Sequence, residues 1–199
     1  MISIRSVALV VGVVACSTTS LASPLNLMQS TPDITSGFIT VSYNATSDVL
    51  TVTGTALSID FNGTPPPDNN ITSGTFTLTA TINSSGMLTS GSLSIAGTIP
   101  ALGAASPLLT ANLTAFGFSD SPVTQIFEFT GTTTGGSQAA GMGSQVGTIL
   151  NLGGGFSGSF ASNFANGGFG SADTFRIPTP GASLLLGAAS LIGLSRRRR

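Results

Sequence analysis

Seven carboxylates are the only side chains in the body of this 199-residue chain with the chemistry of a general acid or base: Asp33, Asp48, Asp60, Asp68, Asp120, Glu128 and Asp173. Histidine is absent and all six basic residues are arginine. Without an imidazole there is no Ser-His-Asp relay. Without lysine there is no Schiff base and no phosphate-loop lysine. What remains is a pair of carboxyls acting as the acid and base of a glycosidase, which must stand several ångströms apart. Most of these acids lie among turn residues, where an Asp side chain bonds its own local backbone. Glu128 differs, because it sits between Phe127 and Phe129 on a predicted strand. There it is expected to face water, opposite the two rings. The sequence therefore predicts a body that is not an enzyme and holds no cofactor.

Calcium is the one metal that carboxylate and amide oxygens suit here. Asp60, Asn62 and Asp68 form a weak candidate loop, but the run does not continue as an EF-hand with its terminal glutamate. Ordinary Asx turns fit the same residues. The sole cysteine, Cys16, lies in an N-terminal apolar run, so the body can build neither a disulfide framework nor a Cys/His metal site. The run from Gly141 to Gly147 misses the dinucleotide fingerprint by one residue and lacks a βαβ setting. Asn44, Asn70, Asn83 and Asn112 open formal N-glycosylation sequons, which arise readily in a chain so rich in Asn and Thr.

Charged residues make up only 7% of the chain, so its solubility rests on hydroxyl and amide groups. Five of the six arginines lie in the terminal segments, which leaves Arg176 alone against all seven acids. A body of that sign repels phosphate backbones, and nucleic acid is not an expected partner.

These residues must be carried by strands. In the stretch TFTLTATI, Phe76, Leu78, Ala80 and Ile82 alternate with Thr75, Thr77, Thr79 and Thr81. An extended chain puts the apolar set on one face and the threonines on the other. Rougher alternation marks residues 38–43, 49–53, 56–61, 88–95, 108–118 and 123–129, and turn residues separate them. Asn83 to Gly86 reads as a hairpin connection. The flanking runs TSGTFTLTA and TSGSLSIAG, 17 residues apart, read as its two arms. The expected fold is all-β, an antiparallel sandwich or open barrel. Past Thr130 glycine dominates, and closing strands with long loops or partial disorder are expected. Phe156, Phe160 and Phe164 recur there every four positions as core candidates.

The two ends read as signals. Residues 1–22 carry Arg5, an apolar core and small residues before a cut between Ala22 and Ser23, the order of a secretory leader. A rival cut before Cys16 would lipidate that cysteine. Residues 23–176 form the body and residues 177–199 a tail. The uncharged apolar segment 181–195 would span about 22 Å as a helix, short of the roughly 30 Å hydrocarbon core. Arg196, Arg197, Arg198 and Arg199 then act as a membrane stop and set an outside-to-inside orientation.

Pro178, Thr179 and Pro180, the apolar segment and the terminal arginines together resemble the PEP-CTERM sorting signal of bacterial exported proteins. The resemblance covers about the last 23 residues, and Thr179 stands where that family has glutamate. It implies an exosortase-like processing enzyme as a partner, beside the export machinery, signal peptidase and the membrane. The implied destination is the cell surface or the extracellular matrix, with anchoring by the C-terminus at least for a time. The expected role is structural or adhesive, with polysaccharide a candidate partner through the threonine-rich face. The alternatives are a calcium- or carbohydrate-binding secreted module and a carboxylate-only glycoside hydrolase.

Overall fold

The computed structural model describes residues 23–120 and 125–178. The leader, Thr179, Pro180, the apolar segment and the four terminal arginines lie outside the described residues, so the expected terminal helices do too. Among the described residues no helix is long and apolar enough to cross a membrane.

Ten strands follow in order: β1 (Asp33–Asn44), β2 (Val49–Asp60), β3 (Asn69–Asn70), β4 (Thr72–Ile82), β5 (Leu88–Thr98), β6 (Leu109–Asp120), β7 (Gln125–Gly135), β8 (Gln145–Asn151), β9 (Phe164–Ala165) and β10 (Gly170–Arg176). The only helical elements among the described residues are a single 3-10 turn, Pro100–Leu102, and the four-residue α1 (Ala139–Met142). Eight long strands run antiparallel in the order β1-β2-β4-β5-β6-β7-β8-β10, and β10 pairs back onto β1. The sheet thus closes into an up-and-down barrel. The all-β antiparallel class is as expected from the sequence, and of the two architectures expected, sandwich or open barrel, the chain forms a barrel, closed by the β1–β10 pairing that alternation and turns do not encode. The two-residue β3 and β9 sit on the rims, paired with β2 and β1.

Period two does what the sequence suggests. Along β4, Phe76, Leu78, Ala80 and Ile82 are buried, while Thr75, Thr77 and Thr79 are exposed. Residues 49–53 and 56–61, separate in the sequence reading, join into the single β2. The repeated runs are indeed the two arms of the β4–β5 hairpin. Its turn is held by the Asn83 Oδ1, which accepts from the backbone of Ser85 and Met87, with Gly86 at φ 78°. Side chains fill the barrel, among them Ile34, Leu50, Leu78, Phe76, Phe127, Phe129 and Phe160. Burying each is worth roughly 1.5–3 kcal/mol. A membrane-spanning barrel carries an apolar band outside, whereas β4 and β5 present hydroxyls there.

Register shifts interrupt the β4–β5 and β6–β7 pairs, and β1 carries a further break. At Phe38, β1 bulges, and its register shifts against both β10 and β2. Phe38 takes φ 54°, a left-handed conformation that costs a bulky residue about 1–2 kcal/mol.

The antiparallel meander sorts the connections. Those joining β1 to β2, β4 to β5 and β8 to β10 gather at one end. Those joining β2 to β4, β5 to β6 and β7 to β8 gather at the other, where β1 begins and β10 finishes.

Candidate functional site

Asp33 opens β1, Asp60 closes β2, and the strand register sets the two residues opposite each other. They line a cleft of about 310 Å³ with Gln29, Ser30, Thr31 and Gly63. The Gln29 amide donates to the Asp33 Oδ2 at 2.8 Å. Burial is the main cause that pushes the Asp33 carboxyl above the usual carboxylate range; the Gln29 bond opposes it and the Asp60 charge adds to it. Asp173, on β10 beside Thr35, is also raised, again first by burial. Its bond from the Thr35 hydroxyl pulls it down, and the Asp33 charge pushes it further up. The end of the barrel that holds both termini thus gathers Asp33, Asp60 and Asp173. Two carboxyls that face each other across one cleft are the arrangement a proton donor and acceptor require.

Asp60, Asn62 and Asp68 do come together on the β2–β4 connection, where one oxygen of Asp60, both of Asp68 and the Asn62 amide oxygen are occupied by the loop itself. The Asp60 Oδ1 accepts from the backbone of Asn62 and Gly63, each at 2.9 Å. Asp68 accepts from the Phe61 backbone at 2.6 Å and from the Asn62 amide at 2.6 Å. The Asn62 oxygen accepts from the Thr64 backbone. The Asp60 and Asn62 bonds are Asx turns of the kind read from the sequence, whereas Asp68 reaches across the loop to residues six and seven positions earlier. No group of three or more His, Cys, Asp or Glu side chains stands ready to hold a metal ion among the described residues.

Asp48 lies far from the cleft, at the β1–β2 turn. The Tyr43 hydroxyl donates to the Ile82 carbonyl oxygen at 2.7 Å and lies 3.3 Å from the Asp48 Oδ1. Burial, followed by the Asp48 charge, pushes the Tyr43 hydroxyl up to about 12. Asp120 ends β6.

Glu128 corrects the sequence expectation. Its side chain does point away from Phe127 and Phe129, but it is only 6% exposed. Residues 23–32 run as a strap along the outside of the barrel and cover it. Its two carboxylate oxygens accept from three consecutive backbone N–H groups, those of Leu25 at 2.6 Å, Asn26 at 3.0 Å and Leu27 at 2.8 Å. Asn26 adopts φ 55°, and that left-handed residue curls the three donors into a concavity for one anion. Gly117, directly across from Glu128, makes room for the strap. A Cβ at Gly117 would lie 2.4 Å from the Ser23 carbonyl oxygen. Ser23, the residue after the expected cut, therefore rests on the barrel wall, and Pro178, the first residue of the sorting motif, follows shortly after β10.

Two further residues escaped the sequence reading. Asn166 is buried in the glycine-rich connection and uses its whole amide: its oxygen accepts from Val41 and Gly168, and its nitrogen donates to the Ile39 and Leu152 carbonyls. Gln125 clasps the Phe156 backbone from both sides. No sequence signal separates these amides from the many others in the chain.

No family model matches this chain, and neither a curated protein nor a solved structure matches it significantly.

Proposed function

We propose that the chain is an exported, non-enzymatic protein of the cell surface or extracellular matrix, delivered through its PEP-CTERM-like tail, with a structural or adhesive role. One observation supports the role of the body. The strand registers align Ser42, Thr51, Thr79, Ser92, Asn112, Thr132 and Gln145 in a row across seven strands, and all seven are exposed. Such a row offers hydroxyl and amide groups without charge, the chemistry of contact with a hydrated polymer. The composition of residues 1–22 and 177–199 supports the destination, and both termini of the described body leave it open to processing. Mass spectrometry of the protein from cell and medium fractions tests the reading. The expected species begins at Ser23 and has lost residues beyond the Pro178 motif. Full-length polypeptide dissolved in the cytosol would overturn it.

The cleft holding Asp33 and Asp60 supports a second reading, a carboxylate-only glycoside hydrolase. Release of reducing ends from a soluble glycan, lost in both Asp33→Asn and Asp60→Asn, would favour it over the first. A purified protein that releases none would remove it.

A further inference from the structure

Phe38 combines two unfavourable features that a purely structural residue has no reason to keep together. Its backbone is left-handed, and its ring is 76% exposed. Burial would offset the strain, yet the bulge turns the ring outward. Phe169 is 87% exposed and precedes Gly170, whose register partner is Ile39. Because Ile39 points into the core, Phe38 and Phe169 flank that pair on the outer face.

Thr40 follows directly in β1 and begins a second row: its register partners run through Thr53, Thr77, Ser94 and Thr110. The first four are exposed and the last is half-buried. At about 4.8 Å per strand the row is roughly 19 Å long. No ionisable residue interrupts it. Two open rings beside a line of hydroxyls form an amphipathic strip, apolar at its head and polar along its length.

We propose that Phe38, Phe169 and the Thr40 row form a binding strip for a neutral polysaccharide chain. This rests on the reading of an exported matrix protein and assigns that role a site and a ligand class. A sugar ring has an apolar C–H face and a rim of hydroxyls, so it stacks on a phenyl ring while its rim exchanges hydrogen bonds with threonine and serine. Charge selects among polymers: Arg176 is the sole basic side chain among the described residues and seven acids outnumber it, so an anionic polymer is repelled.

Affinity electrophoresis of the full chain through gels containing dextran, hydroxyethyl cellulose or alginate tests the strip. Retardation by at least one of the two neutral polymers, and none by alginate, is expected. Phe38→Gly relieves the left-handed strain while removing the ring. It should therefore unfold at higher urea than the parent and still bind at least 10-fold more weakly. Phe169→Ala should weaken binding to a similar degree. The proposal is overturned if neither neutral polymer slows the protein, or if both variants are slowed as much as the parent. It is also overturned if sedimentation shows a dimer that both substitutions dissociate, which would give the patch to a second copy, or if liposomes of neutral lipid capture the protein through the same two rings. The terminal mass spectrum reports on export separately, so failure of the strip and failure of the destination are read from different measurements.

Discussion

At the end of the barrel that receives residues 152–169, Phe156 and Phe160 are buried against Tyr43, Phe116, Phe118 and Phe127, whereas the end that carries both termini is bordered by Asp33, Asp60 and Asp68. Phe160 alone places its ring 5.0–5.7 Å from six other aromatic rings. Edge-to-face contacts dominate that cluster, the arrangement that the ring quadrupole favours. The first end is a plug of phenyl groups threaded on glycine; the second is a set of turns and strand ends whose carboxylates bond nearby backbone and side-chain donors. Glycine-rich chain is therefore ordered here by a few anchors, three rings and the Asn166 amide, with little help from local propensity. The acid end gains its order residue by residue and keeps an open cleft.

The largest test of that contrast is Phe160→Ala, which empties the centre of the plug. A loss of about 3–5 kcal/mol in urea unfolding is expected. A loss below 1 kcal/mol would mean that the plug does not hold its end. Asn166→Ala comes next, since it strands the Val41 N–H and the Ile39 and Leu152 carbonyls in the interior; about 3 kcal/mol is expected from the same measurement. Glu128→Ala frees three backbone donors of the strap, which water can partly satisfy. The expected cost is about 2 kcal/mol, with hydrogen exchange at Leu25, Asn26 and Leu27 rising sharply while β7 stays protected. Unchanged exchange at those three amides would show that the strap is held by something else.

The smallest effect is a pH dependence confined to the acid end. Asp33 and Asp173 have folded-state values raised by burial. The native protein therefore holds protons that the unfolded chain has released. The stability this contributes is fully present below the ordinary aspartate value near 3.8 and is lost as pH rises through the raised values. Asp33→Asn should remove part of that loss and stabilise the protein at neutral pH relative to acid. Equal stability differences at both pH values would refute the raised carboxyl.

The sequence made the acid end more legible than the plug, for physical reasons. Asx turns are local, so those of Asp60 and Asn62 can be read from their neighbours alone, and the threonine alternation of β4 announces its two faces. Phe156 and Phe160 were recognisable as core candidates by type, but their partners lie up to 117 residues away in chain order, as with Tyr43 and Phe160. Barrel closure depends on β1 meeting β10, a pairing that no short-range pattern encodes. Glu128 was placed on the correct face of its strand and given the wrong surroundings, because period two fixes direction while the cover over that face comes from residues 23–32. Asn166 was indistinguishable by type from the other asparagines, and only the fold turns its amide toward four backbone groups.

The first strand to be synthesised and the last are hydrogen-bonded neighbours, with Asp33 opposite Phe175. A nascent chain halted between Asn151 and Gly170 would have two open margins, β1 on one side and β8 on the other, each with unpaired amides able to recruit another polypeptide. Shortening the body from its carboxyl side is thus a route to aggregates and not to a smaller barrel. The molecule is safe from its own edges only once Arg176 has been laid down.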